Sequence, residues 1–324
     1  MLATAVRHRG VNSAGQCILA VALRDLDRPD DALAVTTSLV PAATRVFGTA
    51  HPVALRMRYV HATVLNALER YSEAETECLG ILAEELRLGR PEGAVLTTRL
   101  ELARAVRGQE RLAEAEEGYR EVARARARLL GEEHDSTLAA RHGWAQTLGM
   151  LGRHEEAEAE LRRVLEARRR VLGADHPDTS STRAQLVWTL LDQERFTEAE
   201  AEQRALTAER AARDGDDAPR TLSSRHNLGY LLNRMGRYAE AEQVNRRAWR
   251  DRRRVLGADN PLTLGTWHNL AFSLDHLGRL AEAEAEYAAV LEARGRVLGP
   301  HHRNTEVTRG LLEDLRRRIR LSEE

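Results

Sequence analysis

An all-α solenoid of stacked antiparallel helix pairs is the fold class this sequence predicts, and three observations predict it. Glycines recur at Gly89, Gly131, Gly173, Gly215, Gly257 and Gly299, each step 42 residues. Alanines recur at Ala32, Ala74, Ala115, Ala157, Ala199, Ala241 and Ala283, with one residue deleted between the second and third, and an acidic residue precedes each of them. Ala, Leu, Glu and Arg dominate while aromatics are only 4%, so the composition favours helix throughout.

One unit shows how the elements follow. From Thr221, the residues Leu222, Leu228, Leu232 and Met235 form a helical apolar stripe, which Gly236-Arg237 breaks. A second helix is expected from about Ala239 to Val255. Leu256-Gly257 then supplies a C-terminal glycine, and Pro261 opens the next helix, as Pro177 and Pro219 do at the same register. The small alanine early in the second helix lets the pair approach closely. Such a pair cannot bury its apolar face alone, so stacking makes the core. The pattern divides the chain into seven repeats over residues 1–302, followed by a capping helix and tail over 303–324. The first unit is atypical, with Arg28-Pro29 after its turn. His61 stands where an apolar residue is expected, and Gly108 is expected to interrupt the third unit's first helix.

The same composition excludes several kinds of chemistry. Forty-nine basic residues balance fifty acidic ones for a net charge of −1, so nothing attracts a nucleic acid over long range. All the basic residues are Arg, which rules out a Walker-A lysine, a Schiff-base lysine and a lysine general base. Cys17 and Cys78 make neither a disulfide framework nor a metal knuckle. The longest apolar run near the N-terminus, Ile18 to Leu23, is too short for a signal peptide or a membrane span, so a cytoplasmic location is expected. The twelve histidines lie largely at repeat positions such as the His-Pro turns of His51 and His176, so no metal, cofactor or catalytic triad is expected. The tracts Arg168–Arg170 and Arg252–Arg254 end helices that begin with acids, and they read as complements to the helix dipole.

The residues Leu228-Gly229, Gly236, Tyr238 and Ala241, repeated as Leu270-Ala271, Gly278, Leu280 and Ala283, resemble the tetratricopeptide signature. The 42-residue spacing and segments such as Val171 to Thr179 are similar to its kinesin-light-chain-like subclass. The resemblance covers roughly residues 5–301. It implies a right-handed superhelix whose concave groove, lined by the first helices, takes a protein or peptide.

Counting each signature alanine as position 20, a helical wheel puts positions 1, 7, 8, 11 and 14 on the buried stripe. Position 9 points to the opposite face. It holds Val21, Thr63, Arg104, Gln146, Trp188, Tyr230 and Phe272, so the last three units carry large aromatics there. Around them lie His142, His226 and His268 at position 5, Gln185, Asn227 and Asn269 at position 6, and Asn233 at position 12. Rings supply contact area, and amides and imidazoles can hydrogen-bond an extended peptide. The alternative for these side chains is packing between neighbouring first helices. Arg58, Arg99, Arg141, Arg183 and Arg225 share position 4 near the middle of the apolar stripe, so each is expected to pair with a carboxylate, with Glu240 and Glu242 as examples. The function expected is a peptide- or protein-binding scaffold and not an enzyme. The alternatives are the sensor region of a larger signalling ATPase, or an enzyme built on a solenoid.

Overall fold

A computed structural model describes residues 15–323 except 25 and 27, and among these every regular element is an α-helix. The chain forms two compact units, Met1–Val171 and Leu172–Glu324. The first holds α1 (residues 15–24), α2 (Pro29–Phe47), α3 (Pro52–Ala67), α4 (Tyr71–Arg87), α5 (Glu92–Gly108), α6 (Leu112–Leu130), α7 (Asp135–Met150) and α8 (His154–Val171). The second holds α9 (Pro177–Asp192), α10 (Phe196–Asp214), α11 (Pro219–Arg234), α12 (Tyr238–Leu256), α13 (Pro261–His276), α14 (Leu280–Val297) and α15 (Arg303–Glu323). Within each unit, from α2 onward, successive helices pack against one another, and alternate helices α3, α5 and α7, or α11 and α13, also touch. Gly108 is the last residue of α5 and does not interrupt it; the ring of Tyr71 lies against it where a Cβ would sit.

The periodic residues have local reasons. All seven signature alanines are fully buried. Gly257 closes α12 at φ +94°, a conformation costly for any residue with a Cβ. The recurring histidines of the turns are N-caps: the Nδ1 atoms of His51, His134, His176 and His302 accept the backbone N–H two residues on, at 3.1–3.2 Å. Asn260 does the same for α13. The acid before each alanine pairs with an arginine three residues earlier, in a series running from Arg28–Asp31 to Arg279–Glu282 at 2.6–2.7 Å. These pairs are largely exposed and stabilise little.

The buried band of the first helices is wider than the wheel predicts. Position 14 is exposed at Leu26, Leu151 and Leu277, whereas positions 3, 10 and 12 are buried at Thr266, Ser273 and Asp275. A first helix such as α13 packs against the preceding second helix, its own second helix and the adjacent first helix, so a single apolar stripe cannot describe it.

Four of the five position-4 arginines find carboxylates. Arg58 binds Glu77 at 2.9 Å, and Arg141 binds Glu160 and Glu132. Arg183 donates to Glu209 at 2.8 Å and makes an off-axis ion pair with Glu202 at 2.9 Å. Arg225 pairs with Asp251 and Asp216. The expected partners Glu240 and Glu242 are engaged elsewhere, the first by Arg237 and the second by Arg246 and Arg279. Arg99 is exposed and has no ion-pair partner among the described residues, so it needs none.

A second arginine series was not foreseen. Arg126, Arg210, Arg252 and Arg294 are at most 9% exposed and have no carboxylate partner among the described residues; their guanidiniums donate instead to backbone carbonyls and hydroxyls of flanking helices. Arg252, for example, reaches Leu262 O at 2.7 Å and Thr266 Oγ1 at 2.8 Å. Desolvation pushes its pKa down to about 10.

Candidate functional site

The first helices of the second unit carry the foreseen residues in two classes. One class forms a polar seam between adjacent first helices. His226 Nδ1 lies 3.1 Å from Thr266 Oγ1, joining α11 to α13, and His268 Nδ1 lies 3.3 Å from Thr308 Oγ1, joining α13 to α15. Asn233 is buried; its Nδ2 donates to Asn269 O at 3.1 Å and its Oδ1 accepts from Ser273 at 2.8 Å. The same seam occurs in the first unit, where Asn66 donates to Glu101 O and Arg107 donates to Gln146 Oε1 at 2.7 Å. His142 is enclosed on α7 near Arg168, Arg107 and Arg104.

The second class, half-buried like the seam histidines, shares one face. Positions 6 and 9 are three residues apart, so each helix presents an amide beside a ring: Gln185 with Trp188, Asn227 with Tyr230, and Asn269 with Phe272. The Trp188 and Tyr230 rings meet at 5.8 Å and tilt by 51°, making one aromatic platform across α9 and α11. Arg234 donates to the Tyr230 hydroxyl at 3.3 Å. Phe272 does not join that pair. It packs against the buried cluster around Leu270 and Tyr287 and stacks on the exposed ring of His276 at 4.1 Å, which in turn meets Tyr238 at 4.6 Å. Tyr238 was not foreseen; it opens a second helix, and only the tertiary arrangement brings it beside position 9. At position 9 the first unit offers Val21, Thr63, Arg104 and Gln146, with Val21 packed against a core cluster, Thr63 buried and Arg104 paired to Glu101.

Burial fixes the protonation of the seam. It lowers the pKa of His226 to about 4 and of His142 and His268 to about 3, with nearby Arg252, Arg168 and Arg294 adding to the effect. The unfolded chain takes up these protons near pH 6.5, so between there and about pH 4 it binds more protons than the folded chain, and stability falls as pH falls. The melting temperature is therefore expected to drop already between pH 6.5 and 5.5, where carboxylates stay ionised, and His226→Asn with His268→Asn should flatten that drop. A wild-type melting temperature constant through that interval contradicts the neutral seam.

Other chemistry is sparse. No group of three or more His, Cys, Asp or Glu among the described residues is placed to hold a metal ion. Cys17 and Cys78 are buried free thiols, and burial pushes Cys78 up to about 12, away from nucleophilic reactivity. No described helix is long and apolar enough to cross a membrane.

Family models of the tetratricopeptide repeat match residues 94–169, 139–208, 221–262 and 263–304, more than half of the chain. Among solved structures, the nearly identical TPR-like repeats of a putative kinesin light chain from Podosopora anserina are similar at 24% identity and TM-score 0.57, covering 62% of this chain and 95% of that one. The apo form of the quorum sensor NprR from B. thuringiensis is similar at 15% identity and TM-score 0.64, covering 94% and 81%. NprR in complex with its cognate peptide NprX gives 14% identity and TM-score 0.59, covering 94% and 84%. The search of curated proteins gives no match.

Proposed function

Because the chain belongs to the tetratricopeptide repeat family, we propose that it is a cytoplasmic, non-catalytic scaffold that captures an extended peptide or protein segment on the first-helix face of residues 172–324. The observation that carries this reading is the amide-and-ring ladder of Gln185/Trp188, Asn227/Tyr230 and Asn269/Phe272, half-buried on one face, with the Trp188 and Tyr230 rings in contact at 5.8 Å. A ring offers area at small entropic cost, and an amide beside it can both donate to and accept from a peptide backbone. An extended peptide advances about 3.3 Å per residue, so some six residues would run from Trp188 past Phe272 if the first helices are spaced at about 10 Å. The peptide held by NprR, a relative in fold, agrees with this use of the architecture. The buried Asn233 and the half-buried His226 and His268 then position the ladder through their hydrogen bonds to the neighbouring first helices. We read the chain as seven repeats over residues 1–302, with α15 and the tail at 303–324 capping the last; Leu312 and Leu315 of α15 are buried in the cluster that also contains Tyr287.

The test is photo-cross-linking. Peptides are first enriched from a display library panned on the protein. Benzoylphenylalanine is then introduced in place of Asn227, on the face, or of Arg247, exposed on α12. Cross-links to the enriched peptide are expected from position 227 and not from 247; the reverse pattern would place the ligand elsewhere.

A further inference from the structure

The rule that pairs position-4 arginines breaks at one place. Arg58, Arg141 and Arg183 each meet a glutamate 19 residues on, and Arg183 and Arg225 meet an acid 26 residues on. For Arg99 those positions are Gly118 and Ala125. Its guanidinium therefore has no internal partner and is exposed. The one-residue deletion falls in the preceding second helix, α4, which has 17 residues where α6, α10 and α12 have 19, and Arg90 of the turn that follows lines the same space. With Arg124 and Arg128 of α6, these residues line an open cleft of about 610 Å³ between α4, α5 and α6. Arg99 also lines an adjoining hollow of about 180 Å³ at Gly118, where the glutamate of other repeats would stand. None of the four arginines has an ion-pair partner among the described residues, although Arg104 of α5 and Arg120 of α6 both do.

We propose that this cleft is a second recognition site, distinct from the aromatic ladder, for an acidic polypeptide segment that alternates carboxylates with apolar side chains. Free guanidiniums bind carboxylates through charge-assisted, often bidentate hydrogen bonds. The lining also offers an apolar floor of Val95, Leu96 and Leu86, the last 61% exposed, which a phosphate backbone would not use. Glu92 and Glu121 at the same cleft reduce its charge to +2, which disfavours a polyanion such as nucleic acid and leaves room for a few carboxylates.

The probe is the capped peptide acetyl-Glu-Leu-Glu-Glu-Leu-Glu-amide, titrated by calorimetry beside its all-Gln counterpart. The Glu peptide should bind roughly tenfold or more tightly than the Gln peptide. Arg99→Gln with Arg128→Gln should abolish that preference, and so should Gly118→Glu, which keeps every arginine but supplies the missing internal carboxylate. The Cβ it adds meets the Ala103 Cβ at 3.4 Å, an ordinary van der Waals contact, and circular dichroism of the variant checks that its helicity is unchanged. Arg247→Gln with Arg250→Gln, an equal charge loss in the second unit, should leave the preference intact. The proposal is overturned if the two peptides bind alike or if Gly118→Glu still discriminates between them. Loss of the preference in the Arg247/Arg250 variant, or displacement of the peptide by an equal concentration of single-stranded DNA, overturns it as well.

Discussion

Arg141→Leu is expected to destabilise the protein by about 3 kcal/mol, whereas Arg99→Leu at the equivalent position should cost under about 0.5 kcal/mol. The two arginines share a repeat position and differ in what lies opposite. Arg141 holds Glu160, whose side chain is only 5% exposed, and also reaches Glu132. Its removal strands a buried carboxylate, since the other nearby cation, Arg163, is 71% exposed and stands 3.7 Å away. The loss is then the uncompensated desolvation of Glu160 more than the intrinsic worth of the pair. Arg99 faces Gly118 and Ala125, so its removal strands nothing. Urea unfolding of both variants distinguishes the cases. Equal costs, or a near-neutral Arg141→Leu, would mean that these arginines snorkel to solvent and carry no ladder.

The repeat was legible because it is written in residues whose constraint is local. Ala241 must be small where two helices meet, Gly257 must adopt a positive φ, and Pro261 fits the first turn of a helix. Those constraints need no knowledge of tertiary partners. The arginine partners do need it: the sequence shows that Arg225 requires an acid, but not that Asp251 provides one while Glu240 is held by Arg237. Asn233 illustrates the same limit at the site. A wheel assumes one packed side and puts position 12 on the open face, whereas the neighbouring first helix buries it. Arg252 was read as a dipole complement because an arginine in a charged tract is ordinarily solvated; its burial depends on the carbonyl of Leu262, ten residues away and on the next helix. Trp188 and Tyr230 were legible as a repeated position, but their contact and the separate grouping of Phe272 with His276 and Tyr238 were not.

Trp188→Ala with Tyr230→Ala is expected to weaken capture of the enriched peptide about a hundredfold or more, as loss of paired aromatic anchors does. These two rings meet each other at 5.8 Å, while Phe272 packs against the buried cluster around Leu270, so truncation at Phe272 would mix binding with folding. Gln185 and Asn227 remain in the double variant, so residual weak binding through backbone hydrogen bonds is expected. The central claim, that this face binds a ligand and does not merely pack, is tested most directly by calorimetric titration of that peptide into the wild type and the Trp188→Ala/Tyr230→Ala variant, with thermal melts of both run in parallel. The account predicts a loss of binding with unchanged helicity and a melting temperature within a few degrees of the wild type. Retained binding, or a loss that accompanies unfolding of residues 172–324, would contradict it.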